Sequence, residues 1–140
     1  MKFTPYIHKV NYYETDKMGI VHHSNYIRWF EDTRLHFLEI AGYPYTEMEK
    51  DGIMIPVLSV SVQYKAAVLF GDTVEIMPKI VAFNGFKLGV EYTVKNAETG
   101  ALNALGTSEH FFTDKNLKPI RVKKNFPRVF EVFNSNLEAL

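Results

Sequence analysis

The periodicity of the apolar residues changes once along this chain, and that change limits the folds open to it. From Met54 onward apolar and polar residues alternate. Leu58, Val60, Val62 and Tyr64 are spaced by Ser59, Ser61 and Gln63; Phe86, Leu88, Val90, Tyr92 and Val94 are spaced by Lys87, Gly89, Glu91, Thr93 and Lys95. A period of two puts one set of side chains on one face, so each run reads as a half-buried strand. Asn84-Gly85 between two runs predicts a type I′ hairpin, and Gly71-Asp72 and Thr99-Gly100 mark further turns. Strands are expected near 54–68, 73–83, 86–97 and 101–113, joined as an antiparallel meander.

Before Met54 the pattern differs. Phe3 to Tyr13 is rich in β-branched and aromatic residues and reads as a first strand, followed by a Gly-containing loop, Glu14 to His23. Ser24 or Asn25 is placed to cap a helix running to about Ala41, with Gly42 ending it. Tyr26, Phe30, Thr33, Phe37 and Ile40 form its apolar stripe, but Ile27, Trp29, Leu35 and Leu38 lie off it. Such a helix is expected to be covered from more than one direction. A short helical turn is expected at Thr46 to Asp51, and a C-terminal helix over Asn125 to Leu140 with Pro127 near its start. One strand, one long buried helix and four more strands make an α+β fold: a five-stranded antiparallel sheet wrapped on the helix.

The chain has 140 residues and no repeat or linker, which predicts one domain over residues 1–140. Sixteen basic residues balance sixteen acidic ones, so charge gives no support for nucleic acid or an anionic membrane as partner. The absence of cysteine excludes disulfides, a thiol nucleophile and thiolate-bound zinc. No apolar stretch approaches the ~18 residues of a membrane span, and Met1 to Pro5 lacks the apolar run of a secretory signal. A cytoplasmic protein is expected. His22-His23 invites a metal-site reading, but adjacent side chains rarely face one ion and the five histidines show no ligand spacing, so no metal or cofactor is expected.

The chemistry is concentrated in the loop before the long helix. There Asp16 can face a cleft, close to helix-start amides carrying the positive end of the helix dipole. A carboxylate so placed can attack, or activate water against, a carbonyl whose developing oxyanion those amides hold. An Asp in a Gly-containing loop is also the usual residue for closing a turn. On these residues alone the turn reading is the one to prefer.

The string Asp16-x-x-Gly19-x-Val21-x-His23-x-x-Tyr26, ahead of an aromatic-rich helix, resembles the signature of the 4-hydroxybenzoyl-CoA thioesterase family. It is most similar to the short-chain acyl-CoA thioesterases associated with the bacterial Tol–Pal system. The resemblance is specific over residues 10–40 and looser elsewhere. It implies the hotdog fold, sheets joined between protomers of a homodimer or homotetramer, active sites at the dimer interface, and hydrolysis of an acyl-CoA thioester to acid and coenzyme A. Acyl-CoA is the expected substrate, with a carrier-protein thioester as the alternative. By position, Asp16 matches the catalytic carboxylate and His23 the residue whose backbone amide polarises the thioester carbonyl. Tyr12 matches a strand tyrosine that shapes the site, and Gly19 the glycine that lets the loop pass close to substrate. Val21 and His22 then border the substrate. Lys17 and Met18 stand where the family often has small residues, and His22 where an aromatic is common, which implies a differently shaped acyl pocket.

Other residues admit plainer explanations. Glu31 lies on the helix where a second hotdog branch keeps its acid, but pairing with Arg28 or Arg34 accounts for it. Arg121, Lys123, Lys124 and Arg128 could meet coenzyme A phosphates, although such clusters are usually solvated; Lys65 is equally ambiguous. Two further functions fit the chain: a hotdog dehydratase or hydratase pairing His23 with Glu31 across a dimer, and a non-catalytic acyl-CoA binder or scaffold.

Overall fold

The computed structural model describes residues 3–137. In chain order it contains β1 (Tyr6–Lys9), a 3-10 turn (Tyr12–Glu14), α1 (Ser24–Ile40), α2 (Tyr45–Lys50) and β2 (Val57–Tyr64), then β3 (Thr73–Phe83), β4 (Lys87–Asn96), β5 (Leu102–Phe111), α3 (Val122–Asn125) and α4 (Pro127–Asn134). The strands form one five-stranded sheet in the order β1-β3-β4-β5-β2, antiparallel at every pairing. The expected α+β architecture is therefore present. No helix among the described residues is long and apolar enough to cross a membrane.

The meander is correct only for β3, β4 and β5. β2 pairs with β5, not with β3 (Val60 faces Ser108, Val62 faces Gly106), and becomes a sheet edge. Residues 65–72 carry the chain to the opposite side. On the way the Lys65 and Ala66 amides donate to the Asn103 carbonyl, and the Val68 carbonyl accepts from the Val21 amide. Neighbours in sequence pair only as a tendency, and this crossing segment finds its own hydrogen bonds.

Local expectations need similar correction. The first strand is shorter than Phe3 to Tyr13, because the Glu14 side chain draws residues 12–14 into a 3-10 turn by accepting the Asn11 amide at 2.7 Å. The β3–β4 connection is not type I′. That turn needs positive φ at both central residues, whereas Gly85 has φ 87° and Asn84 is not in that region. Asn84 Oδ1 instead accepts the amides of Phe86 and Lys87. The C-terminal segment divides into α3 and α4, with Pro127 in the first turn of α4; residues 138–140 of the expected helix lie outside the described residues.

One face of the sheet carries Leu88, Val90, Tyr92 and Val94 from β4 and Ala104 from β5, all buried with the inner side of α1. Helix and sheet meet most closely at Phe30. Its ring stacks on Tyr92 with centroids 4.2 Å apart and 7° between planes. It also lies over Gly106, where an added Cβ would stand 2.3 Å from Phe30 Cζ. Gly42, at φ +79°, ends α1: its amide donates to the Glu39 carbonyl and that of Tyr43 to Leu38, the paired bonds of a Schellman stop. Trp29 and Leu38 are covered, but Ile27 and Leu35 are 48% and 39% exposed, so α1 is not covered on every apolar side within one chain.

Candidate active site

The loop between the 3-10 turn and α1 is held by one buried carboxylate that the sequence reading passed over. Glu14 Oε1 lies 2.8 Å from His8 Nε2 and accepts the Asn11 amide; Oε2 accepts the Trp29 indole N–H at 2.8 Å. Burial pushes the Glu14 carboxyl up, but the bonds from Asn11, His8 and Trp29 outweigh it and hold the group below the ordinary carboxylate range. A carboxylate only accepts, so His8 Nε2 carries the proton it shares with Glu14. The Glu14 carbonyl then receives the His22 amide at 2.8 Å and Asn25 Nδ2 at 2.9 Å. Strand β1, the loop and α1 thus meet at this residue. The one legible trace of this is the Asn11-x-x-Glu14 spacing, that of a carboxylate reaching back to an amide three residues earlier.

Within the loop, Thr15 and Val21 form an antiparallel bridge, and the Asp16 amide donates to the Ile20 carbonyl at 2.8 Å. Asp16 Oδ1 accepts the amides of Met18 at 2.8 Å and Ile20 at 3.3 Å. The turn-closing reading of Asp16 is therefore true of one oxygen, while Oδ2 accepts no hydrogen bond among the described residues. Gly19 sits between those two amides at φ +75°, with nothing within 4 Å of where a Cβ would be. Its glycine is required by backbone conformation, not by crowding within the chain.

At the start of α1 the cap differs from expectation. His23 is the N-cap, and Ser24 and Asn25 lie in the first turn. Asn25 is buried and uses its side chain on the Glu14 and His22 carbonyls. The Ser24 amide donates to His22 Nδ1, the Asn25 amide to the His22 carbonyl and the Tyr26 amide to the His23 carbonyl. Among the described residues the amide of His23 itself has no such partner.

Asp16, Val21, His22 and His23 line one open cleft with Ile20, Tyr26, Tyr64, Lys65, Ala66 and Ala67. Four of the six expected site residues thus converge. The His22 and His23 rings pack with centroids 4.1 Å apart, and Tyr64 sets its ring edge against Tyr26 at 5.0 Å. Tyr64 and Lys65, at the end of β2, complete a wall that the loop signature could not reveal. Gly19 supports the cleft from the turn behind Asp16.

Tyr12 does not join this group. It sits on the 3-10 turn, not on a strand, is 77% exposed, and packs edge-on against Phe70 at 5.5 Å. Glu31 is also apart from His23 within one chain and borders a different cavity, near the middle of α1. The basic C-terminal residues are engaged locally: Arg121 lies over Phe86, Lys123 over Phe130, and Arg128 over Tyr43 while donating to the Gly42 carbonyl. No three His, Asp or Glu side chains among the described residues converge as a metal site.

Comparison with known proteins agrees with this architecture. The family model described as the thioesterase-like superfamily matches residues 10–133. The Bacillus subtilis protein YneP, named as a candidate acyl-CoA thioesterase, is 39% identical over 120 residues, 85% of this chain and 86% of that protein. The acyl-CoA thioester hydrolase YbgC of Escherichia coli O6:H1 is 27% identical over 95 residues, 68% of this chain and 71% of its own. Among solved structures, the DHNA-CoA thioesterase of Staphylococcus aureus superposes with a TM-score of 0.88 at 32% identity, covering 94% of this chain and 89% of that one. With its strand order, α1 packed on the inner sheet face and these matches, the chain belongs to the thioesterase-like superfamily and has the hotdog fold.

Proposed function

We propose that the chain is a cytoplasmic hydrolase that cleaves an acyl-CoA thioester to a free carboxylic acid and coenzyme A in the Asp16 cleft. One observation carries the reading: Asp16 and His23 line the same cleft, and among the described residues neither Asp16 Oδ2 nor the His23 amide has a hydrogen-bond partner. The names of YneP, YbgC and the S. aureus structure support the same chemistry.

In this reading the thioester carbonyl oxygen accepts the His23 N–H, so negative charge developing there meets a fixed donor at the positive end of α1. Asp16 then acts in one of two ways. As a base it takes a proton from water while the water oxygen bonds to the carbonyl carbon. As a nucleophile it bonds to that carbon itself, giving a mixed anhydride that water then splits. In both, the carbon–sulfur bond breaks and the thiolate leaves to be protonated. A carboxylate base contributes about 10²–10⁴-fold and an oxyanion donor about 10²–10³-fold, enough for an activated thioester without a metal. Lys65 at the cleft wall offers a cation to the phosphates of the leaving group.

The active unit in this reading is a dimer or tetramer. β2 ends the sheet with Val57, Leu58 and Tyr64 each about half exposed, and Ile27 of α1 is also uncovered. An unpaired edge of this kind is a template for a second copy. Light scattering is expected to give at least a dimer, and a monomer would remove this part of the reading.

The test of the reaction is free-thiol release from short aliphatic, long aliphatic and aromatic acyl-CoAs. Wild type is expected to cleave at least one class and Asp16→Asn none at a comparable rate. Equal turnover by the two proteins, or turnover by neither, refutes the proposal. Isotopic oxygen from water entering the Asp16 carboxylate identifies direct attack.

A further inference from the structure

A second cavity, of about 160 Å³, lies between the C-terminal half of α1, α2 and the inner sheet face, away from the Asp16 cleft. Its body is apolar, formed by Leu38, Ile80, Leu88, Val90 and Phe133, and its mouth is bordered by Leu35, Tyr45 and Met54, which are partly exposed. An apolar cavity of roughly 150 Å³ is large enough to hold a benzene ring.

Arg34 makes this more than a packing fault. Its guanidinium borders the cavity and donates to Tyr92 Oη at 3.0 Å. Tyr92 Oη lies 2.7 Å from Ser108 Oγ, which lies 2.7 Å from His110 Nε2, so a buried chain of hydrogen bonds fixes the arginine from behind. Among the described residues no carboxylate stands within ion-pair distance of it; Glu31, one turn earlier at the cavity wall, does not pair with it. A half-buried cation held by one neutral hydroxyl, with four of its five donors still to place, favours an anionic partner.

Within one chain the two sites are physically separate. Tyr26, Phe30 and Arg34 follow one another at four-residue steps on the inner face of α1. Tyr26 lines the cleft and Arg34 the cavity, while Phe30 fills the space between them, stacked on Tyr92 and resting on Gly106. A ligand reaching Arg34 therefore enters past Leu35 and Met54, not through the cleft.

We propose that this cavity binds a small monocarboxylic acid, its carboxylate on Arg34 and its apolar body among Leu38, Ile80, Val90 and Phe133. The proposal does not depend on the reaction in the cleft, although an acid released there belongs to the same chemical class.

Benzoate is the first probe and benzamide its uncharged match, titrated into the full-length protein by calorimetry and followed by methyl NMR. Benzoate is expected to bind saturably and at least about tenfold more tightly than benzamide, as a charge-assisted bidentate contact implies. Methyl shifts should fall on Leu38, Ile80 and Val90, not on Val21 and Ile20 of the cleft. Arg34→Met keeps the stem and should lose that preference, whereas Asp16→Asn should bind benzoate as wild type does. If Arg34→Met does not fold, Leu38→Phe, which fills the cavity, should abolish binding. Equal affinity for the two probes, shifts confined to the cleft, or full affinity in Arg34→Met or Leu38→Phe would each overturn the proposal.

Discussion

The Trp29 indole donates its N–H to Glu14 Oε2 at 2.8 Å, and through this bond the long helix holds the loop that carries Asp16. Both partners are buried, and the second Glu14 oxygen is shared by His8 and Asn11. Glu14→Gln puts an amide N–H₂ where one of these donors points, leaving a buried donor unsatisfied. The expected loss of stability is about 1–3 kcal/mol, read as a lower urea midpoint at unchanged slope. Because the Glu14 carbonyl also anchors His22 and Asn25, kcat for thioester cleavage should fall with it.

Acid should weaken the fold in two steps, and the sign follows from two depressed pKa values. Burial, with the Arg34 charge adding to it, pushes the His110 imidazole down to about 4 from an ordinary 6.5, against a smaller upward pull from the Ile55 and Pro56 carbonyls. The unfolded chain therefore binds more protons between these values. The His110 contribution is complete above pH 6.5 and drains away as pH falls toward 4. The window is worth about 3 kcal/mol. Glu14, also held low, adds a further loss as pH falls below the ordinary carboxylate range. Urea unfolding near about pH 7.5 and about pH 5 should show the first loss, and His110→Gln should remove most of the difference.

Gly106 and Phe30 are coupled by volume. A methyl group at Gly106 would overlap the Phe30 ring, with distances of 2.3 Å to Cζ and 2.4 Å to Cε2. The ring is stacked on Tyr92, the cross-strand partner of Gly106, which restricts its turning. Gly106→Ala should cost about 1–3 kcal/mol, and adding Phe30→Leu should recover part of that cost. Simple addition of the two single effects in a double-mutant cycle would show that the two residues do not crowd one another.

What could be read beforehand was whatever local periodicity dictates. The alternation through Leu88, Val90, Tyr92 and Val94 located β4 and its buried face, and Tyr26, Phe30, Thr33 and Phe37 located the inner side of α1. The loop string located four residues of the cleft. The choice of β5 as partner for β2 was not legible, because alternation fixes a strand's faces and not its neighbour. Nor was Glu14, whose importance comes from donors at His8, Asn11 and Trp29 that meet only after folding. The Arg34 cavity escaped notice for the same reason: its charge looked like one half of a helical pair with Glu31.

Gly19 separates two explanations of the Asp16 turn by experiment. If the glycine serves the backbone, at φ +75° between the Met18 and Ile20 amides that hold Asp16, then its replacement should act through Asp16. Gly19→Ala should cost about 1 kcal/mol or more and lower kcat, since alanine resists positive φ. Gly19→Asn should recover much of both, because asparagine adopts that region more readily. If instead the glycine serves close passage of substrate, both variants bring a side chain into the path and both should raise KM, with asparagine the worse. Kinetics of the two variants against one acyl-CoA decide the matter, and the open space around the missing Cβ favours recovery by asparagine.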